Sequence, residues 1–537
     1  MTTAAVPLSG AAGADRYRYR YLIAVTVSLA SVLELLDTSI VNVAIPHMMG
    51  NLGATLDEIA WVSTGYIVAN VIVLPITGWL SAFFGRRRYF AGSIALFTLA
   101  SFFAGNAHSL EMLVFARIIQ GLGGGALLST SQAILYEEFP REEYGVAMAI
   151  FGVGVMVGPT IGPTVGGYIT DAFGWPWIFY INIPFGMLAF ALTLTFIKNS
   201  AHQVRAARVD YIGLVLLAAG IGTLQTMLER GERLDWFSSR EILMLAFVSG
   251  AALVAFVWHE LTTEHPIVDL RILKNRQLSS GVVFGSVLGV CLYATIFVLP
   301  VYLQNLQGFT AEQTGFVILP GALASAFTMA IMGRFQGKFD ERLSIAVGVG
   351  LFALSMWKHA HFTTESGMSD FFWPLIFRGV GLGLIFVPLT NLALADLPMA
   401  QMHGGTGLFN LMRQLGGSVG IALSATLVQR FTAVHRADLL ADVTQYSTVT
   451  AQRLAGIQAH LVATGTPAPM AHQQALAVLN GLVGRQALML SFEQLFLLFG
   501  AAFVLSLPLL LGLRPRKKVS AGETVAEGAR DLETIAA

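Results

Sequence analysis

The sequence predicts an all-α integral membrane protein, and three observations carry that prediction. Of 537 residues, 55% are hydrophobic and only 12% are charged, about half the charged share of a soluble chain. Apolar windows of about 20 residues, enough to cross a bilayer as helix, recur along the whole length. Lysine and arginine collect in alternate connecting segments, as they do where a chain threads a membrane repeatedly.

The windows place helices near residues 21–45, 59–83, 89–107, 110–135, 144–170 and 176–197, then a pair at 211–229 and 241–259. Six more follow at 278–303, 313–334, 343–359, 370–394, 404–431 and 488–512, giving fourteen. This divides the chain into an N-terminal segment 1–20, a six-helix bundle 21–198, a linker with the extra pair 199–276, a second bundle 277–513 and a tail 514–537. A long outer loop, 433–487, mixed polar and alanine-rich and expected to carry helix outside the bilayer, belongs to the second bundle. With the N-terminus inside, the inner segments hold about twenty basic residues against about eight outside, which predicts that both termini are cytoplasmic. The first apolar segment is too long for a signal peptide and reads as a retained spanning helix. Formal net charge is zero, so nucleic acid is not indicated as a partner. The single cysteine, Cys291, excludes an intrachain disulfide and any multi-cysteine metal site.

Charges at membrane depth are the candidates for function. In LELLDTSIVNVAIP, Leu33 to Pro46, two carboxylates interrupt an apolar helix. An ionised Asp there costs on the order of 2.5 to 3.5 kcal/mol on insertion scales, so it faces protein or a wet cavity. Glu34, Asp37, Thr38 and Val41 share one stripe. A carboxylate so placed suits exchange of a proton, and Asp37, with Glu34, is the expected coupling group. Arg117, Arg378 and Arg413 also lie at depth and need a counter-charge, a cavity or a carbonyl. Arg117 is the expected partner of a first-helix carboxylate. The polar residues Asn42, Gln120, Gln132, Asn391, Asn410 and Arg413 are expected to line a substrate cavity.

Four further stretches carry signals. GWLSAFFGRRRYF, Gly78 to Phe90, ends the second helix and reads as a gating loop that includes Gly78, in which Gly85 permits a tight turn and Arg86, Arg87 and Arg88 meet headgroups. GRFQGKFDERL, Gly333 to Leu343, echoes it and suggests two related halves. In GVGVMVGPTIGPTVGGYI, Gly154, Gly158, Gly162 and Gly166 recur every four residues and make a ridge for close helix contact, with Gly167 beside it. Pro159 and Pro163 remove backbone donors and bend that helix. The segment 260–276, with Ile267, Leu270, Ile272 and Leu273, is expected to form an amphipathic helix on the inner membrane surface. No phosphate-binding loop and no hydrolase or metalloprotease motif is present, so neither ATP nor enzymatic chemistry is indicated.

LDTSIVNVAIP, GWLSAFFGRRR, RIIQGLGGG (from Arg117) and GPTIGPTVGG together resemble the major facilitator superfamily, and within it the fourteen-helix drug:proton antiporters of the EmrB/QacA type. LVLLAAGIGTLQTMLERGERLDWFSS, Leu214 to Ser239, and HPIVDL, His265 to Leu270, are similar to the EmrB branch. The resemblance implies two six-helix bundles around a central cavity, the extra helices beside them, and alternating access. It implies export of hydrophobic or amphipathic compounds, including antibiotics, across a bacterial inner membrane, with protons as the coupling ion and no cofactor. A periplasmic EmrA-like adaptor and a TolC-like outer-membrane channel are the implied partners besides the lipid bilayer. Asp37 matches the first-helix acid, Arg117 the fourth-helix arginine, and Gly158, Pro159, Gly162, Pro163, Gly166 and Gly167 the antiporter motif. Two departures stand out: Ala82 replaces the acid of the second-helix loop, and Glu34 is additional. An exporter of a native metabolite such as a siderophore or toxin, or a non-transporting membrane receptor, remains as an alternative.

Overall fold

A computed structural model describes residues 19–198, 210–336, 338–444 and 446–513. The expected N-terminal segment before residue 19, the linker residues 199–209 and the tail from residue 514 lie outside the described residues. The first half contains α1 (Arg20–Leu52), α2 (Trp61–Phe84), α3 (Arg86–Gly105), α4 (Leu110–Glu138), α5 (Tyr144–Phe173) and α6 (Asn182–Phe196). The extra pair is α7 (Tyr211–Arg230) and α8 (Arg240–Thr262). The second half contains α9 (Arg276–Asn305), α10 (Ala311–Arg334), α11 (Glu341–His359), α12 (Phe372–Leu394), α13 (Met402–Asp442), α14 (Thr448–Ala463) and α15 (Ala468–Leu505). Twelve of the spans are long and apolar enough to cross a membrane, and α5 is a thirteenth with a 41° bend. The 19-residue α11, packed between α12 and α15, completes the fourteen.

Helix starts follow local chemistry. Ser109 caps α4, Asp210 caps α7, Asn275 caps α9 and Asp340 caps α11, each side chain accepting from a backbone N–H of the first turn. Thr310 and Gln313 form a reciprocal capping box at α10. Gly85, at φ +87°, makes the sharp turn from α2 into α3.

The two halves repeat one packing plan. In the first, α1 packs on α5, α2 on α4 and α3 on α4; in the second, α9 packs on α13, α10 on α12 and α11 on α12. The halves meet along two seams. On one, α5 and α10 run together along their length, from Gly145 against Gly333 to Thr164 against Gly315. On the other, α2 meets α13 most closely toward the end that carries Arg86, where a methyl on Gly78 would lie 3.0 Å from the backbone nitrogen of Gly404. Farther along that seam α7 inserts, with Gly222 facing Val68 and Ile72 of α2 while Gln225 bonds Ser418 of α13 at 2.9 Å.

The outer segment 433–487 carries helix, as its alanine-rich composition leads one to expect: α13 continues to Asp442 and α15 already begins at Ala468. Two expectations are corrected. The segment 260–276 forms no amphipathic helix; it contains only the 3₁₀ turn Leu270–Lys274. Its Ile267, Val268 and Ile272 are buried in the protein core, and the Val268 N–H donates to Glu260 Oε2 at 3.2 Å. Last, Gly78 lies inside α2 and not in the gating loop, and Arg86 is buried, turned away from headgroups.

Candidate functional site

Two acids one turn apart on α1 have different surroundings. Asp37, 0% exposed, accepts from Arg117 Nη1 at 2.5 Å, Gln120 Nε2 at 2.8 Å and Asn182 Nδ2 at 2.7 Å. Arg117 is held as firmly. It donates from Nε to the Val62 carbonyl at 3.0 Å and from Nη1 to Gln120 Oε1 at 2.7 Å, and its guanidinium stacks over the Tyr66 ring at 4.1 Å. Gln120 also donates to Ser101 at 2.8 Å. Five helices, α1, α2, α3, α4 and α6, therefore close around one ion pair. Such a pair holds a bundle together when its donors and acceptors are engaged, and the three donors on Asp37 favour its charged form.

Glu34 is the opposite case. It is also buried, with Oε1 accepting from Asn70 Nδ2 of α2 at 2.9 Å, while Oε2 has no hydrogen-bond partner among the described residues. Asn70 in turn accepts from Gln414 Nε2 of α13 at 3.2 Å, so the Glu34 carboxylate is tied through one amide to the opposite half. A second tie lies beside it: Asn410 of α13 donates to Gln132 of α4 at 2.7 Å and accepts from Arg413 at 3.2 Å. Arg413, fully buried, also reaches the Tyr293 hydroxyl of α9 at 3.3 Å.

The structure thus sorts the expected cavity residues into three groups. Gln132, Asn410 and Arg413 form the tie between halves, and Asn391, accepting from Tyr136 at 3.0 Å, forms another toward the Arg86 end. Gln120 belongs to the ion-pair cluster. Asn42 joins neither: it is exposed and accepts from the Ser63 hydroxyl at 3.3 Å.

The glycine ridge of α5 faces α1. Methyls on Gly154, Gly158 and Gly166 would lie 2.9, 2.9 and 3.1 Å from Val32, Leu35 and Ile40, and one on Gly162 would lie 2.5 Å from Ser39. Gly167 is off the ridge, with nothing nearer than 3.8 Å. Pro163 lacks the N–H that would bond the Pro159 carbonyl, and the Ser39 hydroxyl of α1 donates to that carbonyl at 3.1 Å instead.

At the Arg86 end, sequence reasoning missed an ion cluster. Arg86 bonds Glu137 and reaches Glu138 Oε1 at 2.6 Å and the Lys198 carbonyl at 2.6 and 3.1 Å. Arg87 stays exposed and donates to the Leu194 carbonyl. Glu137 Oε1 also lies 3.3 Å from His403 Nε2 of α13, so this cluster touches the other half although Ala82 supplies no acid. The signal was available in Glu137-Glu138 at the end of an apolar helix, where two adjacent acids at a membrane boundary call for cations.

Two repeated helical bundles, joined by polar ties at mid-depth and carrying buried acids and arginines, define a multi-pass membrane transporter of the two-half kind. The chain belongs to the Major Facilitator Superfamily, whose sequence profile matches residues 27–421. It is 35% identical to the multidrug export protein EmrB of Escherichia coli K12, over 92% of this chain and 95% of that one. It is 33% identical to the fatty acid resistance protein FarB of Neisseria gonorrhoeae, over 95% and 97%. Among solved structures, the human organic anion transporter MFSD10 superposes with a TM-score of 0.58 at 14% identity, covering 90% of this chain and 99% of that one. The proton:xylose symporter XylE gives a TM-score of 0.57 at 14% identity, covering 92% and 95%. These two likenesses establish the fold alone.

Proposed function

We propose that this protein is a proton-driven efflux pump that exports hydrophobic and amphipathic compounds by alternating access. The observation that carries the reading is the half-satisfied carboxylate of Glu34, buried at mid-depth and linked through Asn70 to Gln414 of the other half. A proton on the free oxygen removes the charge that holds the Asn70 amide, and so weakens the tie to α13 that follows. Substrate and proton then bias one two-state equilibrium in opposite directions, which is all that coupling requires. A potential of 100 mV supplies about 2.3 kcal/mol per charge moved, roughly 50-fold in accumulation.

In this reading Glu34 exchanges the proton and the Asp37–Arg117 pair is the framework that positions it. The ties at Gly78–Gly404, Glu137–His403 and Tyr136–Asn391 close the cytoplasmic end, with both termini on that side of a bacterial inner membrane. The helical extensions of α13 and α15, with α14 between them, are the surface for a periplasmic adaptor of the EmrA kind leading to a TolC-like channel. Drug export is favoured over a dedicated metabolite carrier by the high identity to EmrB over nearly the whole chain.

The test is transport in sealed vesicles under an imposed pH gradient. Glu34→Gln is expected to fold normally and to lose substrate-dependent proton movement. Intact coupling in that variant removes Glu34 from the mechanism.

A further inference from the structure

On the seam that α7 enters, the extra pair touches both halves, and it does so as far as the outer end. Along α7, Gly222 faces Val68 and Ile72 of α2 while Gln225 bonds Ser418 of α13. The turn between α7 and α8, residues 231–239, extends the pattern. At its start the Arg230 guanidinium ion-pairs with Glu241 of α8 and lies 5.5 Å over the ring of Trp61, the first residue of α2. Six residues on, the Trp236 indole Nε1 donates to Thr426 Oγ1 of α13 at 2.8 Å. The Thr426 hydroxyl donates its own proton to the Ala422 carbonyl at 2.8 Å, which leaves its oxygen free to accept.

The backbone of this turn is strained where it makes that bond. Asp235 and Trp236, at φ +54° and +49°, are the only non-glycine residues among those described with positive φ. For a side chain as bulky as tryptophan the conformation is disfavoured and persists only where its surroundings fix it. Here the indole rests on Gly231, where a methyl would lie 2.7 Å from the ring, and the Trp236 N–H donates to the Gly231 carbonyl at 2.7 Å. The strain thus aims the indole at the opposite half from the one that Arg230 touches. At the Arg86 end α2 and α13 meet, whereas at the outer end α7 and its turn lie between them.

We propose that the 231–239 turn is a brace that holds the outer ends of α2 and α13 apart, and that it must release Thr426 before the outer end closes. When two halves rock about a central site, the separation of their helices changes most at the ends. The turn cannot keep both Trp61 and Thr426 while α2 and α13 draw together, and contacts made in one state alone bias the equilibrium toward that state. The inference rests on the alternating-access reading above, but its test reads conformation and needs no transport.

Full-length protein with Cys291→Ser is placed in nanodiscs with nitroxides at Asn51→Cys and Asn305→Cys, exposed positions at the outer ends of α1 and α9. Double electron–electron resonance then reports the distance between the halves. Trp236→Phe removes the N–H and keeps an aromatic ring, and Thr426→Val removes the acceptor and keeps the shape. Each is expected to lower the ratio of the long outer distance to the short one about fivefold, the weight of one hydrogen bond. The double variant is expected to shift it no further than either single one. Both residues are half-buried, so water satisfies the partner left behind and the melting temperature is expected to hold. A ratio unchanged in either single variant overturns the proposal, as do single shifts that add in the double. Variants that melt earlier with the distances kept also overturn it and reduce the bond to a packing contact. Shifts that hold while no pH-driven transport is seen sink the transport reading and leave the brace standing.

Discussion

Arg117 sits in a ring of acceptors drawn from α1, α2 and α4, whereas Arg378, in the matching place of the other half, has none among the described residues, yet the helices around the two arginines pack alike. What the repeat preserves is the approach of backbones. Glycines of α5 face α1, and in the second half Gly416 and Gly420 of α13 press against the carbonyls of Ser286 and Val290 on α9. Small residues at a seam set the distance between helices and leave little room for drift. Charges at the bundle centre have no such constraint, provided each is satisfied or serves a ligand, and there the halves have diverged.

The largest expected effect breaks this comparison at the arginines. Arg117→Leu strands the Asp37 carboxylate in a dry bundle and should cost about 3 to 5 kcal/mol, since removing one partner of a buried pair leaves the other uncompensated. Arg378→Leu should be neutral or stabilising by the same logic. The difference in melting temperature between the two purified variants measures it. Equal destabilisation would mean that Arg378 has a partner in the bilayer that its surroundings here do not reveal.

A smaller effect tests what the halves share. Gly158→Ala and Gly420→Ala should each cost about 1 to 3 kcal/mol as overpacked contacts, one against Leu35 and the other against Val290. Gly167→Ala, whose methyl would meet Val43 at an ordinary 3.8 Å, should be close to neutral. Chemical denaturation in detergent compares the three. A harmless Gly420→Ala would show that the second seam yields where the first does not.

Much of this was legible in the residues. All fourteen spans follow from apolar windows, since a bilayer forces length and hydropathy on every crossing. The partnership of Arg117 and Asp37 was legible too, because two opposite charges at similar depth have few other solutions. Asn182, Ser101 and Tyr66 were not, because an amide, a hydroxyl or a phenol in an apolar helix is unremarkable until the bundle shows what it touches. The contrast between Glu34 and Asp37 was hidden for a related reason: their helix stripe is common, and only neighbouring helices decide which carboxylate is saturated. Arg86 was misassigned to headgroups because position beside a membrane boundary suits both a snorkelling arginine and a buried one, and Glu137 and Glu138 decide between them only in three dimensions.

Asn42 provides the smallest expected effect and bounds the comparison from below. It stands on α1 only five residues beyond Asp37, with an amide as capable of bonding as that of Gln120. Its one contact is a 3.3 Å bond from the Ser63 hydroxyl in an exposed setting. Water replaces that bond at little cost, and surface substitutions of this kind stay within about 0.5 kcal/mol. Asn42→Ala should therefore leave melting and proton coupling as they are. A clear loss of transport with unchanged stability would place substrate against this exposed stretch of α1, and would extend the working surface beyond the buried ties.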